Sequence, residues 1–257
     1  RSLVNINNKN IGGLFNYGLA LESIVMKFIE KGFKDKGVVF LRASTNYLET
    51  ILDIDEKFSL AYYKLGYHYK YYGDFLKANL VWKKYLQIDE TPEIVEEIRE
   101  EMELIEDDVH FQQGLYYLNN REYDLALERF LKLIDKYKNW GHLYYLIGLA
   151  YKEKGEYEKA IGFLNQAIEL DHNVDVYNEL GICFYALGEL ENAIEVFDNG
   201  ISLYPMDYKI IFNRAMLNLE LGNINEAMED INLAYELNPE ESLIKEQKIK
   251  LEKYLGF

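Results

Sequence analysis

Four histidines, one cysteine and a surplus of carboxylates are the groups in this chain with a first claim to chemistry. His68, His110, His142 and His172 lie far apart, and none has a second His, Cys or carboxylate at the spacing of a metal motif. Only His110 and His142 have a separation that a structural repeat could bring together, and ordinary partly exposed histidines are the plainer reading. Cys183 is single, so no intramolecular disulfide can form, and the thiol sits in an apolar run typical of a core. There is no Gly-x-Gly-x-x-Gly, no phosphate loop and no Gly-x-Ser-x-Gly. The 44 acidic residues could be paired at will into an acid and a base, but no pair stands in the apolar setting that drives two pKa values apart. The 23 tyrosines could stack on bases, yet Tyr69, Tyr117, Tyr123, Tyr151 and Tyr157 recur at regular positions, as packing residues do. The expectation is a chain with no enzymatic activity, no metal and no cofactor.

What the sequence does contain is a returning glycine. Gly66-x-x-Tyr69 runs on to Ala78 and Trp82, and Gly114-x-x-Tyr117 to Ala126 and Phe130. Gly148-x-x-Tyr151 runs on to Ala160 and Leu164, and Gly181-x-x-Phe184 to Ala193, Phe197 and Pro205. Gly114, Gly148 and Gly181 are 34 and 33 residues apart, and Ala215 stands 34 further on. A period near 34 with small residues at fixed offsets is the mark of stacked helical hairpins. The small residues sit where two helices approach closely, and the aromatics fill what remains. Gly73, Gly155, Gly188 and Gly222 fall between the paired helices, where a left-handed cap favours glycine. Pro205 and Pro239 fall where the second helix must stop.

These residues resemble the tetratricopeptide repeat family. The resemblance implies an all-α, right-handed superhelical solenoid of antiparallel hairpins. Repeats are expected at 59–92, 107–140, 141–173, 174–207 and 208–241. A degenerate repeat at 25–58 takes Gly32 as its crossing glycine and Ser44 in place of alanine, after an N-terminal segment, 1–24, that starts the first helix. Residues 242–257 are expected to form a capping helix with a stripe of Ile244, Leu251 and Leu255. Gly66 and Gly114 are 48 residues apart, 14 more than the period. The extra stretch, 93–106, is acidic and helical in pattern, starting at Thr91-Pro92. It reads most simply as an elongated first helix of the next repeat, with a separate helix re-started at Asp107-Asp108 or a hinge as the other readings.

The net charge of −16, from 28 basic and 44 acidic residues, argues against nucleic acid and anionic membranes as partners. Solubility accounts for that charge as well as a basic partner does. The apolar run from Ile11 to Phe28 is interrupted by Asn16, Glu22 and Lys27, too broken for a membrane span. The chain begins at Arg1 and reads as part of a longer protein. A cytoplasmic location is expected from the single thiol.

In this family the first helices line a concave groove for peptides or partner helices. The resemblance puts Tyr63, Tyr67 and Lys70, Phe111 and Leu115, Tyr145 and Leu149, Asn178 and Ile182, and Phe212, Asn213 and Met216 on that face, with Lys152 and Tyr185 further along. The basic set with which chaperone-binding members grip a C-terminal carboxylate is absent, Tyr63 and Tyr67 standing in its place, so heat-shock chaperone tails are not expected to bind. The groove is instead aromatic and aliphatic, which points to an apolar protein or peptide ligand, while the acidic net charge allows a basic one. The face could otherwise be covered by the chain's own N-terminal helix, about Phe15 to Lys31, or by a second copy in a homodimer. The function expected is a scaffold or adaptor. A peptide-responsive regulatory module of a larger protein and a self-associating structural module are the alternatives.

Overall fold

The computed structural model describes residues 10–256, and every regular element among them is an α-helix. The helices are α1 (Ile11–Glu30) and α2 (Lys34–Ile54), α3 (Ser59–Tyr71) and α4 (Phe75–Ile88), α5 (Pro92–Leu104), α6 (Glu106–Asn119) and α7 (Tyr123–Ile134), α8 (Gly141–Glu153) and α9 (Tyr157–Leu170), α10 (Val174–Ala186) and α11 (Leu190–Leu203), α12 (Tyr208–Leu221) and α13 (Ile224–Leu237), and α14 (Ser242–Leu255). They fall in two compact units, divided between Gln113 and Gly114. No described helix is long and apolar enough to cross a membrane.

The hairpin turns are nearly identical because one residue in each takes the left-handed conformation. Gly73, Gly155, Gly188 and Gly222 have φ of 74°, 79°, 76° and 79°. The amide that follows each donates to the carbonyl four residues before the glycine: Asp74 to Tyr69, Glu156 to Tyr151, Glu189 to Phe184, Asn223 to Asn218. Each bond closes the end of one helix while its donor residue starts the next. In the α6–α7 hairpin the same bond runs from Glu122 to Tyr117, but the left-handed position is Arg121, at φ 61°. A side chain in that conformation costs about 1–2 kcal/mol. Arg121→Gly is therefore expected to stabilise the protein by about 1 kcal/mol, read as a higher urea midpoint at unchanged slope. An unchanged midpoint would mean the arginine side chain offsets its own strain.

The crossing glycines are imposed by what lies opposite. A methyl group built on Gly66 would lie 1.9 Å from Trp82 Nε1. On Gly114 and Gly181 it would come within 2.3 Å of Phe130 and Phe197, and on Gly148 within 2.7 Å of Leu164. Those side chains and the alanines four residues before them, Ala78, Ala126, Ala160 and Ala193, are buried. The core of the first unit runs through Leu48, Ile51, Leu65, Trp82, Tyr85 and Ile98. In the second unit, Leu164 and Leu180 mark one stretch of core and Phe197, Ile210 and Ile211 another.

Three expectations need correction. Residues 93–106 do not elongate the following helix. α5 ends at Leu104, Ile105 breaks the helical path at φ −103° and ψ 7°, and α6 starts at Glu106. Glu106, Asp107 and Asp108 suit a helix start, where the dipole favours carboxylates, better than a helix interior. Gly32 is not a crossing glycine: it is the left-handed turn residue between α1 and α2, at φ 79°. Gly18 makes the close approach instead, its carbonyl accepting from Ser44 Oγ at 3.0 Å. The first hairpin therefore starts at Ile11, not near residue 25. In α14, Ile244 and Leu251 are buried, but Leu255 is exposed.

Candidate functional site

The residues expected on the concave face fall into two sets, one in each unit. In the first unit, Tyr63 and Tyr67 sit on α3 with their rings edge to face, 5.4 Å apart, and Tyr67 packs against Trp82. Both hydroxyls donate to Glu97 of α5, from Tyr63 at 3.0 Å and from Tyr67 at 2.5 Å. Lys70 pairs with Glu101, one turn further along α5. α5 is fastened by Ile98, fully buried, and by Ile94, Val95 and Met102 packed on the same core. Burial and then the Glu97 carboxylate push the Tyr63 hydroxyl up to about 12 and the Tyr67 hydroxyl higher still. This face is thus occupied by the chain itself. The element that occupies it is α5, not the N-terminal helix, which pairs with α2 in a hairpin. Sequence reasoning missed Glu97 and Glu101. Their i,i+4 spacing beside the stripe of Ile94, Ile98 and Met102 was the available signal. Phe111 lies half-buried on α6 in this unit.

Behind this face a row of polar groups ties α1, α2 and α3 together. His68 is 4% exposed. Its Nε2 donates to Glu22 Oε1 at 3.1 Å, and its Nδ1 lies 3.0 Å from Thr45 Oγ1. Thr45 also donates to Leu41 O at 2.9 Å and meets the Tyr72 hydroxyl at 3.0 Å. Glu22 pairs in addition with Lys64 at 3.2 Å. Carboxylate, imidazole and hydroxyl in a row have the order of a nucleophile triad. Here the hydroxyl is buried and engaged with its own helix carbonyl, so the row ties helices together and leaves no hydroxyl for a substrate. Burial works to raise the Glu22 pKa, but His68 and Lys64 hold it below the usual carboxylate value. A carboxylate with a depressed folded pKa stabilises above its unfolded pKa, and that contribution fades as pH falls. Glu22→Gln is expected to lower stability at pH 7 and to narrow the gap to wild type as pH drops below about 4.5. A constant gap across that range in urea titrations would refute the assignment.

In the second unit three of the expected residues, Ile182, Asn213 and Met216, meet at one cavity. Ile182 and Tyr185 of α10, Phe197 of α11, and Asn213, Met216, Leu217 and Glu220 of α12 line a cavity of about 300 Å³. Phe197, 2% exposed, lies beneath Gly181, whose missing side chain makes the room. Asn213 Nδ2 donates to Asn178 Oδ1 at 2.6 Å, joining α12 to α10. The Tyr185 hydroxyl donates to Glu220 at 2.7 Å, which raises its pKa. Tyr145 on α8 is pushed up to about 12 by burial and then by Glu179 and Asp175 of α10, so those carboxylates lie on the same side. Lys152 joins α8 to α10 through Glu179 at 2.6 Å. Burial acts to lower the Lys152 pKa, but Glu153 and Glu179 carry it up to about 12. Leu149 is half-buried on α8, and Leu115 on α6.

Leu115, Tyr145, Leu149 and Asn178 do not line that cavity, and neither does Phe212. It is 8% exposed and packs in the core with Ile210 and Ile211. It supports the face without being presented on it. Glu220 was not anticipated. It lies four residues after Met216 on one helical side, which is the signal that could have found it.

Among the described residues no three His, Cys, Asp or Glu side chains gather in a way that could hold a metal. Cys183 is buried, and burial carries its thiol up to about 12, which keeps it protonated and unreactive.

Comparison with known proteins agrees with this architecture. Tetratricopeptide repeat models match residues 108–139, 142–174, 174–206 and 208–241. The chain is similar to a TPR repeat-containing protein of Methanocaldococcus jannaschii, 27% identical over 184 residues, which are 70% of this chain and 32% of that protein. It is also similar to the mitochondrial import receptor subunit TOM70 of Saccharomyces cerevisiae, 32% identical over 33% of this chain and 15% of the receptor. The Hsp70-Hsp90 organizing protein of Triticum aestivum is 29% identical over 47% of this chain and 20% of its own length. The chain therefore spans a third or less of each of these relatives. Among solved structures, MamA superposes with a TM-score of 0.53 at 23% identity, over 72% of this chain and 93% of MamA. The Cut9-Hcn1 hetero-tetramer gives 0.52 at 14% identity, over 97% of this chain and 50% of that one. With repeat models matching across half its length and hairpins of the same build, the chain belongs to the tetratricopeptide repeat family.

Proposed function

We propose that this chain is a non-catalytic protein-interaction module, a scaffold or adaptor that holds an apolar peptide or helix of a partner against α8, α10 and α12. One observation carries the reading: Ile182, Asn213 and Met216, three residues expected on a ligand-binding face, meet around one cavity. An apolar cavity beside a small number of fixed polar groups is the usual form of a recognition site. The neighbouring Asn178–Asn213 pair offers an amide to a ligand backbone. The names of two relatives, an import receptor and a chaperone-organizing protein, are in keeping with a binding role.

Chaperone tails are not the proposed ligand. Tyr63 and Tyr67 already donate to Glu97, and a second carboxylate there would meet that charge.

The test compares wild type with Met216→Gln, a change of similar volume at a half-buried position. Proteins captured from cell extract on wild type are purified and titrated calorimetrically against both forms. A loss of about 10-fold or more on the folded variant, some 1.4 kcal/mol, supports the site. Equal affinity for both forms removes it. Light scattering across concentration reports whether a second copy is the occupant.

A further inference from the structure

Charge is distributed very unevenly along this chain. Residues 160–244 contain 16 acidic side chains and two basic ones, against 28 and 26 in the remainder. Nearly all of the net charge of −16 thus belongs to the stretch that builds the α10–α12 cavity. Of its two cations, Arg214 is held by Asp198 and Asp230, at 2.7 and 2.6 Å. Glu220 lines the cavity and is exposed. Asp175, also exposed, lies one turn before Asn178 on the same side of α10. Glu179 is matched by Lys152, whereas Asp175 and Glu220 present their charge to solvent, Glu220 at the cavity and Asp175 about two turns before Ile182 on α10. A general solubility role would spread such charge over the array, and it is instead gathered in two stretches: residues 89–108, with 11 acidic side chains and one basic, where Glu97 and Glu101 are engaged by Tyr63, Tyr67 and Lys70, and the repeats with the open cavity.

Resting on the reading above, we propose that the cavity takes an apolar side chain of a cationic segment of another protein. That segment carries lysine or arginine close to its anchor, to meet Glu220, and about two turns away, to meet Asp175. The cavity of about 300 Å³ is at the small end for ligand sites and has the size for one or two apolar side chains. The surrounding field speeds the approach of a cationic chain and opposes an acidic one, so the same carboxylates give rate and selectivity.

Random peptides of about twelve residues, displayed on phage, are panned on the intact protein at about 50 mM salt and depleted on Met216→Glu. The variant keeps and increases the acidic field while blocking the cavity, so peptides held by charge alone are removed. Circular dichroism checks its fold, and Met216→Gln serves in its place if it is unfolded. The expected survivors carry net positive charge and an apolar residue flanked by lysine or arginine. A synthetic survivor should bind about 10-fold more weakly to the Asp175→Asn, Glu220→Gln double variant and lose affinity as salt rises to about 200 mM. Survivors that are neutral or acidic, or that ignore the double variant, overturn the charge assignment while leaving the cavity as a binding site. No survivors above the depleting variant overturn the cavity reading and this proposal together.

Discussion

Gly66→Ala is expected to lower the melting temperature by roughly 10–20 °C, a loss of about 2–3 kcal/mol for a unit of this size. The new methyl would lie 1.9 Å from Trp82 Nε1 and 2.2 Å from Cε2, where two unbonded atoms cannot stay. Trp82 has little freedom to retreat. It is fully buried, packs edge to face with Tyr67, and its Nε1 donates to Tyr63 O at 3.3 Å. Alanine is the better helix former by about 1 kcal/mol, and that gain offsets part of the strain without cancelling it. Gly73→Ala is the control. Nothing lies within 4 Å of its added methyl, so it bears only the cost of a left-handed residue, about 1 kcal/mol. The pair separates a packing clash from a backbone preference. If Gly66→Ala melts within a degree or two of Gly73→Ala, the α3–α4 crossing is looser than its geometry states.

Arg214→Met is expected to cost about 3–5 kcal/mol, because it strands a buried carboxylate. Asp230 is 5% exposed and is gripped by two guanidinium bonds, from Nε at 2.8 Å and from one terminal nitrogen at 2.6 Å. The other terminal nitrogen holds Asp198, which is half exposed and contributes little by comparison. The loss comes chiefly from desolvation of Asp230 rather than from the attraction removed. The double variant Arg214→Met, Asp230→Leu should therefore recover most of the stability. Urea unfolding of wild type, the two single variants and the double variant closes the cycle. A double variant no more stable than Arg214→Met would show that the arginine acts through its packing instead.

Much of the fold was legible because each repeat carries a stereochemical demand in a single residue. Gly66, Gly114, Gly148 and Gly181 leave room for an aromatic or leucine ring or branch, and Gly73, Gly155, Gly188 and Gly222 sit where φ is positive. Both demands are local, so they appear as fixed spacings. Gly32 misled because a turn glycine and a crossing glycine look alike when the neighbouring repeat is worn. Its true partner in the crossing, Gly18, faces Ser44 instead of alanine. Arg121 hid a left-handed turn behind an unlikely residue type. The break at Ile105 has no glycine or proline to announce it and follows from the burial of that side chain, 2% exposed, together with the acidic start of α6. The candidate face was legible residue by residue but not in its occupancy. Phe212 has the type of a groove residue and the burial of a core one. That Glu97 reaches Tyr63 depends on where α5 packs, which the repeat pattern does not encode.

The docking of α5 makes this chain a competitor for its own surface. Only Asp89, Glu90 and Thr91 separate α4 from α5, so Glu97 and Glu101 are presented to Tyr63, Tyr67 and Lys70 at an effective concentration on the order of millimolar. An outside peptide reaching for those side chains must exceed that tethered rival and also release Ile98 from the core. A free ligand of micromolar intrinsic affinity would then register as a much weaker one on the N-terminal unit, while the α10–α12 cavity would show its affinity undiminished. Under the proposed function, titrations should accordingly show one visible site and one masked site, with the masked one revealed only when α5 is displaced or its two glutamates are replaced.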